Sequence, residues 1–378
     1  MTHPDTPTPD MPSSPTTGSK TTREESFPGL AQVLIGGYSA ELDGTAEGIT
    51  SLVASVGSTE LNGTARLKFT PALGYPVTSP SYLITHPTEP WVFAVSEATP
   101  ATVMSLLLEP DGTVSLISAV ETGDSWACHL GLSADLRFVM VANYAGGSIS
   151  SHAIGPDGSL SVPVDRFELR GSGPEIDRQA GPHAHQVVVD GDEILVCDLG
   201  SDEVQRLRLS PEGAFAPAGE PVRLAAGSGP RHLVVIGDHL VVLCELNIEV
   251  WLGRRTADGW EEVMTIASST AEAAERIYPS AIVADGRRIF VANRGAGTVA
   301  VFDLVDDRLE PRCEFACGGA WPRDIKLGPG QLWVANQTND VVSVFSTDVL
   351  PPSTVDFEIA TPSPACIVLI AEPRSAIA

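Results

Sequence analysis

Five side chains stand out because their types or positions depart from the repetitive sequence around them. Arg231 and Arg323 stand where other copies of an internal repeat have serine, and Glu245 is the only glutamate at its repeat position. His183 and His185 are two residues apart in GPHAHQ, so on a strand they would share a face. Histidine transfers protons near neutral pH, and guanidinium groups bind planar anions. The set predicts a site for an anionic ligand with acid–base chemistry.

Each of these residues also has a purely structural explanation. His185 could be a core histidine bonded to a carbonyl, or a metal ligand. An arginine at the start of a repeat could bridge to a neighbouring aspartate, and Glu245 could simply pair with Arg231. The convergence of three cations and one carboxylate on one opening favours a functional role. A ring of salt bridges is the alternative.

Composition limits the possible partners. The 378 residues carry a formal net charge of -25, which argues against a nucleic-acid partner or an anionic membrane surface, because both need a basic face. Residues 1–28 are rich in Thr, Pro and Ser without an apolar run, so we expect a disordered tail and no secretory signal. No later stretch approaches the roughly 20 apolar residues that span a bilayer.

An internal repeat predicts how the candidate residues are positioned. An apolar strand that ends in a small and then a polar residue recurs, as in VANYAGGSIS from Val141, VANRGAGTVA from Val291 and VANQTNDVVS from Val334. About fourteen residues earlier a second marker, usually proline and a polar residue, begins another strand. Seven such markers, roughly 40 to 54 residues apart, match the blades of a propeller. We therefore predict one all-β domain over 29–378, a seven-bladed β-propeller.

The two ends of the chain supply the last blade. Only the strand 366–370 follows the seventh marker, whereas residues 32–38, 48–56 and 64–70 offer three strands at the N-terminus. Pairing of 366–370 with 32–38 would close the ring and remove exposed sheet edges.

The two markers of each blade define two columns of residues at one mouth of the channel. The inner column is Ser81, His129, His183, Arg231, Ser280, Arg323 and Ser363. The second column is Ser96, Asn143, Asp198, Glu245, Asn293, Asn336 and Gly37. In this alignment His185 stands where other copies have Leu83, Leu233, Ile282 and Ile325. The asparagines recur, so we interpret them as turn-forming residues.

The cysteines indicate a reducing compartment. Cys197 and Cys244 align with Ala142, Ala292 and Ala335, as small buried thiols would. We therefore predict free thiols and a cytoplasmic protein. Cys313 and Cys317 are the only close pair, and they are a weak zinc signal. The serine-hydrolase elbow and the P-loop are absent from the sequence, and the dinucleotide-like pattern at 295–300 joins two predicted strands.

Six segments together resemble the lactonase-type seven-bladed propeller family. They are PSYLITHP (80–87), SADLRFVMVANYAGGSIS (133–150), GPHAHQ (181–186), GSGPRH (227–232), CELN (244–247) and VANRG (291–295). The resemblance covers nearly the whole chain after the first 28 residues, in the same order. It implies hydrolysis of a sugar lactone, of the 6-phosphogluconolactone type, without metal or cofactor. A cycloisomerase acting on carboxy-cis,cis-muconate is one alternative, and a non-catalytic binding scaffold is another.

The resemblance also implies roles for residues. His183 or His185 would be the base that activates water, Glu245 would orient that histidine, and Arg231 would stabilise the oxyanion. Arg294 and Arg323 would bind the phosphate or carboxylate of the substrate. The remaining candidate substrate contacts are His129, His232 and Asn247.

Overall fold

The computed structural model describes residues 30–56 and 67–371, and these form seven antiparallel sheets arranged as the blades of a propeller. The predicted tail at 1–28 lies outside the described residues, as do residues 64–66 of the third predicted N-terminal strand. Among the described residues, no helix is long and apolar enough to cross a membrane.

The strands follow the chain blade by blade. Blade 1 contains β1 (Leu30–Gly37), β2 (Gly48–Val56) and β3 (Leu67–Pro76); blade 2 contains β4 (Tyr82–Thr85), β5 (Trp91–Ser96), β6 (Thr102–Leu108) and β7 (Val114–Glu121). Blade 3 contains β8 (Ala127–Leu132), β9 (Phe138–Asn143), β10 (Ser148–Ala153) and β11 (Asp165–Glu168). Blade 4 contains β12 (Ala184–Asp190), β13 (Glu193–Asp198), β14 (Glu203–Leu209) and the short β15 (Phe215–Pro217) and β16 (Val222–Arg223).

The remaining blades are regular. Blade 5 contains β17 (Pro230–Ile236), β18 (His239–Cys244), β19 (Glu249–Arg255) and β20 (Trp260–Ala267); blade 6 contains β21 (Tyr278–Asp285), β22 (Arg288–Arg294), β23 (Thr298–Val305) and β24 (Arg308–Ala316). Blade 7 contains β25 (Pro322–Gly328), β26 (Gln331–Asn336), β27 (Val341–Ser346) and β28 (Phe357–Ala360), and β29 (Pro364–Ala371) returns to blade 1. One α-helical turn, α1 (Ile176–Gln179), and two 3-10 turns (Ala40–Leu42 and Gln337–Asn339) complete the described elements.

The ring closes as the sequence predicts. β1 pairs with both β2 and β29, and its register with β29 runs from Gln32 opposite Ile370 to Gly36 opposite Cys366. The N-terminal strand is therefore sandwiched between its neighbour in sequence and the last strand of the chain. This pairing leaves no unpaired inner strand at the join.

The hydrophobic core is divided among the seven spaces between blades. Each space is filled by apolar residues from the facing sheets, as where Val241 and Leu252 of blade 5 pack with Val291 and Phe302 of blade 6. The same arrangement recurs around the ring and ends where Trp333 of blade 7 packs near Val33 of blade 1. Alternation of apolar side chains along twisted strands buries both faces of each blade, which fixes the blades relative to the central channel.

A β-bulge near the start of the inner strands corrects the predicted columns. In six blades one residue lies between two paired residues, for example Arg231 between Pro230 and His232. These bulged residues are Cys128, His185, Arg231, Ser280, Arg323 and Ala365. The inner column therefore contains Cys128, His185 and Ala365, and the predicted His129, His183 and Ser363 were each misplaced. A bulge re-aims its extra side chain, here toward the mouth.

The second column also needs a correction in blade 5. Cys244 pairs with Pro230 as Asn293 pairs with Pro279, so Cys244 holds the asparagine position and Glu245 lies one residue further on. The alignment of Cys197 with the alanines is right, whereas that of Cys244 was wrong by one residue. The asparagines themselves are buried and bond across their blades, as when Asn293 Nδ2 donates to the Ser268 carbonyl at 3.0 Å.

Candidate active site

One mouth of the channel holds a cavity of about 420 Å³ lined by charged and aromatic side chains. The lining residues are Glu97, Trp126, Cys128, Tyr144, Arg178, His185, Arg231, Glu245, Tyr278, Arg294, Trp321 and Arg323. Four guanidinium groups thus face two carboxylates. In a protein of formal charge -25, this cationic excess is suited to binding an anion, as the sequence predicts.

Glu245 is the centre of the larger charged cluster, which spans blades 4 to 6. Its Oε2 accepts hydrogen bonds from Arg231 Nη1 at 2.6 Å and Arg294 Nη2 at 2.7 Å, and its Oε1 accepts one from Arg178 Nη2 at 2.6 Å. Glu245, Arg231 and Arg294 are each at most 5% exposed. Arg178 comes from the connection that contains α1, which buried Gln179 anchors through Asp202 at 2.7 Å.

The pKa values of Glu245 and Arg294 depend on burial and on the charges around them. Burial alone would raise the pKa of Glu245, but the guanidinium groups of Arg294, Arg231 and Arg178 hold it well below its ordinary value. Burial lowers the pKa of Arg294 to about 9, so its side chain is still cationic at neutral pH. Three cations against one carboxylate leave two positive charges. Each arginine also keeps at least one N–H group that bonds to no described residue.

His185 belongs to this cluster as a neutral imidazole. Its Nε2 contacts Arg231 Nη1, and because a guanidinium only donates, Nε2 is the acceptor. Burial and the Arg231 charge lower the pKa of His185 well below its ordinary value. The remaining nitrogen, Nδ1, lies 3.9 Å from Cys128 Sγ. The lone pair that a base needs is therefore already engaged with Arg231, which weighs against the predicted role of His185 in activating water.

A second polar cluster lies across the mouth, on blades 7, 1 and 2. Tyr38 donates from its hydroxyl to Glu97 Oε2 at 2.9 Å and accepts a hydrogen bond from Arg323 Nη2. The Arg323 guanidinium also lies over the Tyr38 ring, 4.8 Å from its centroid. Burial raises the pKa of Tyr38 well above its ordinary value, so its hydroxyl stays protonated and acts as the donor.

Aromatic rings form the walls between the two clusters. Trp126 and Trp321 precede the inner strands of blades 3 and 7, so they stand on roughly opposite sides of the seven-bladed ring. Both have left-handed backbones, with φ of 55° and 58°. The equivalent residues Ser79, Gly229 and Ser363 are left-handed as well, so the conformation belongs to the repeated turn before an inner strand. Trp126 is also 39% exposed, as a ligand-contacting ring would be.

The structure brings five of the predicted site residues together and places four outside the lining of the cavity. His185, Arg231, Glu245, Arg294 and Arg323 line the cavity. His183 precedes β12 and stacks on Tyr144 with ring centroids 4.5 Å apart, while its Nδ1 donates to the Tyr144 carbonyl at 2.8 Å. His183 thus supports a wall residue.

The other three predicted substrate contacts lie outside the lining. His129 stacks on Tyr82 with centroids 3.9 Å apart, and its ring meets that of His232 at 5.7 Å. Both histidines directly follow bulged residues and so lie beneath the mouth. Asn247 Nδ2 donates to Glu249 at 2.6 Å. Direct contact of these residues with a substrate stays a prediction.

Several lining residues were missed by the sequence analysis, although a signal for them exists. Glu97 and Tyr144 share with the predicted Glu245 the position directly after the second strand of their blades, and Tyr38 holds the same position in blade 1. Because that position follows the last paired residue, its side chain can turn toward the mouth. Tyr278 and Trp321 each directly precede a proline at the start of an inner strand, and Tyr278 is itself the first residue of β21. Arg178 carries no repeat signal, because it lies in a connection peculiar to one blade.

The cysteines carry no disulfide among the described residues. All six are free, and Cys197 and Cys244 are buried as predicted. Burial and the nearby Glu97 raise the pKa of Cys128, so this thiol of the cavity wall is not a ready nucleophile. Within residues 30–56 and 67–371, no group of His, Cys, Asp and Glu is placed to hold a metal ion.

Comparison with known proteins places this site in context. Residues 32–369 match the family described as "Lactonase, 7-bladed beta-propeller". A 6-phosphogluconolactonase of Bacillus subtilis is 30% identical over 258 residues, which cover 64% of this chain and 72% of that protein. A 6-phosphogluconolactonase of Yersinia enterocolitica is 24% identical over 260 residues, covering 65% and 74%.

A solved structure is similar to this chain over a longer part of its length. The periplasmic gluconolactonase of Pseudomonas aeruginosa superposes with a TM-score of 0.81 at 27% identity, covering 91% of this chain and all of that one. The family match covers all seven blades and both charged clusters. The chain therefore belongs to the lactonase family of seven-bladed β-propellers.

Proposed function

We propose that this protein hydrolyses 6-phosphogluconolactone, or a closely similar phosphorylated sugar lactone, to the open-chain acid. The observation that carries the proposal is the cavity of the lactonase propeller, in which three guanidinium groups surround one carboxylate. The names of the Bacillus and Yersinia relatives support the same substrate.

The charge of the Glu245 cluster suits a phosphate monoester. Arg178, Arg231 and Arg294 together exceed Glu245 by two positive charges, and a phosphate monoester carries about -1.5 to -2 at pH 7. Guanidinium groups that are already oriented by a carboxylate bind such an anion without losing side-chain freedom. In this proposal the phosphate binds on blades 4 to 6. Arg231 is then an anion-binding residue rather than the stabiliser of the oxyanion that the family resemblance implies.

The opposite cluster is suited to the ester. Arg323 keeps Nε and Nη1 without a partner among the described residues, and a cation with free N–H donors stabilises the oxyanion that forms when water attacks a lactone carbonyl. Trp126 and Trp321 would hold the sugar ring between the two clusters. With its ester near Arg323 and its phosphate near Arg294, the substrate spans the mouth.

Metal independence and cytoplasmic location are further parts of the proposal. The guanidinium groups supply the positive charge that a metal ion would otherwise provide, so EDTA should leave the rate unchanged. The buried free thiols support a reducing compartment. Because the Pseudomonas relative is periplasmic, fractionation of the native host is the direct test of location.

The rate of lactone opening by the purified protein tests the proposed activity. Hydrolysis of 6-phosphogluconolactone and of its unphosphorylated analogue is followed by proton release, with the spontaneous rate subtracted. We expect kcat/KM to be at least tenfold higher for the phosphorylated lactone. Cyclisation of carboxy-cis,cis-muconate is measured in parallel. If the protein cyclises the muconate but hydrolyses neither lactone, it is a cycloisomerase and the proposal is wrong. If it converts none of these substrates, the non-catalytic binding scaffold is the remaining interpretation.

A further inference from the structure

We propose that Glu97 is the general base that deprotonates the attacking water, and that Tyr38 and Arg323 position its carboxylate. This inference rests on the proposed lactone hydrolysis and names a catalytic residue for it. It moves the chemistry away from the histidines, to the side of the mouth that faces the Glu245 cluster.

The other candidate bases of the cavity are already engaged. Both carboxylate oxygens of Glu245 accept hydrogen bonds from guanidinium groups at 2.6 to 2.7 Å, so a proton on either oxygen would break an ion pair. His185 Nε2 accepts from Arg231, and the Cys128 thiol points to the carbonyls of Ala184 and His185. A general base needs a lone pair within hydrogen-bond reach of water.

Glu97 meets this requirement. It directly follows β5, its side chain lines the cavity, and it is 8% exposed. Oε2 accepts one hydrogen bond, from Tyr38, whereas Oε1 has no partner among the described residues and is not enclosed. The backbone holds the residue in place, because its N–H donates to the Ser79 carbonyl at 3.0 Å. One oxygen is thus fixed and the other is free to accept a proton.

The neighbours of Glu97 suit a base. Tyr38 donates to Oε2 and cannot lose its own proton readily, because burial raises its pKa. Arg323 reaches the carboxylate only through the Tyr38 hydroxyl and forms no direct ion pair with it within the described residues. The carboxylate is therefore oriented without being neutralised by a guanidinium. Arg323 remains available for the oxyanion that forms beside it.

Hydrolysis then proceeds in two steps. The oxygen of water forms a bond to the lactone carbonyl carbon, the water proton passes to Glu97 Oε1, and the carbonyl electron pair moves to the oxygen beside Arg323. The tetrahedral intermediate then collapses. Its bond to the ring oxygen breaks, and that oxygen takes the proton from Glu97 and becomes a hydroxyl. One lactone and one water give one hydroxy acid, and Glu97 returns to its starting state.

Substitution of Glu97 tests the proposal. Purified Glu97→Gln and Glu97→Ala are assayed with 6-phosphogluconolactone beside wild type, and Glu89→Gln serves as the control. Glu89 is exposed at the opposite end of the same blade. We expect kcat to fall by roughly a hundredfold or more in both Glu97 variants, because general-base catalysis contributes about 10²–10⁴. Affinity for 6-phosphogluconate, measured by calorimetry, should be unchanged or tighter. The Glu89 variant should match wild type.

Chemical rescue and pH dependence separate a base from a positioning residue. Formate added to Glu97→Ala should restore part of kcat, and Glu97→Gln should lose the acid limb of the wild-type pH–rate profile. If wild type opens the lactone and the Glu97 variants stay within tenfold of it, the base assignment is wrong while the proposed function stands. Loss of activity without formate rescue and with an unchanged pH profile would also overturn it. A wild type that opens no lactone overturns both proposals.

Discussion

Replacing Glu245 by glutamine should destabilise the fold and make its stability depend on bound anion. Glutamine keeps the shape and one acceptor oxygen but removes the negative charge that Arg231 and Arg294 share, and all three side chains are at most 6% exposed. Leaving buried charges without their partner costs about 3–5 kcal/mol. Arg178 is 34% exposed and adds little, because water solvates it. We therefore expect the free energy of unfolding to fall by about 3 kcal/mol.

Urea denaturation followed by tryptophan fluorescence measures this loss, with Glu220→Gln as the control. The Glu220 side chain is 85% exposed and lies 3.7 Å from Arg223, so its substitution should change nothing measurable. Inorganic phosphate should then raise the stability of Glu245→Gln more than that of wild type, because the anion takes the place of the missing carboxylate. A variant as stable as the control, with no larger response to phosphate, would refute the account of this cluster.

Three further substitutions test separate parts of the account. Trp321→Gly should raise KM about tenfold while the protein stays folded, since glycine accepts the left-handed backbone but offers no ring to the sugar. Asp324→Asn tests a pH effect. Burial raises the pKa of Asp324 in the folded protein to about 6. The contribution of this carboxyl group to stability is therefore present below about pH 4 and is lost as pH rises through 6. The variant should therefore be more stable than wild type at pH 8, by up to about 3 kcal/mol, with no gain at pH 4; equal melting curves at both values would contradict this. Asn143→Ala should lower stability by about 1–2 kcal/mol through the lost bond to Ser148 and leave kcat unchanged, so a large fall in kcat at normal stability would show that Asn143 acts in the reaction.

The fold was predictable because every blade repeats the same pattern. The markers at Pro230 and Pro322 begin inner strands, Pro279 is the second residue of another, and the strand at 366–370 pairs with 32–38 as expected. Because the last copy of the repeat is incomplete, its strand is buried by pairing with the strands at the N-terminus. Strand ends are set by hydrogen bonds that the apolar pattern does not report, so β3 extends to Pro76 rather than to residue 70.

The site was only partly predictable, because the proline marker does not hold in every blade. The residue equivalent to Pro230 is Ala184 in blade 4, two residues after Pro182, so alignment on the proline placed His183 where His185 belongs. Glu245 was found as an outlier although its column was shifted. Glu97 was missed because its partners come from two other blades: Tyr38 bonds to Glu97, and Arg323 bonds to Tyr38. Contacts between distant blades leave no local trace in the sequence.

The central claim is that the Glu245 cluster binds the phosphate of a sugar lactone. The most direct measurement is the ratio of kcat/KM for 6-phosphogluconolactone to that for the unphosphorylated lactone, in wild type and in Arg294→Gln. We expect the ratio, at least tenfold in wild type, to fall close to one in the variant, with little change for the unphosphorylated lactone. An unchanged ratio, or an equal loss on both substrates, would contradict it.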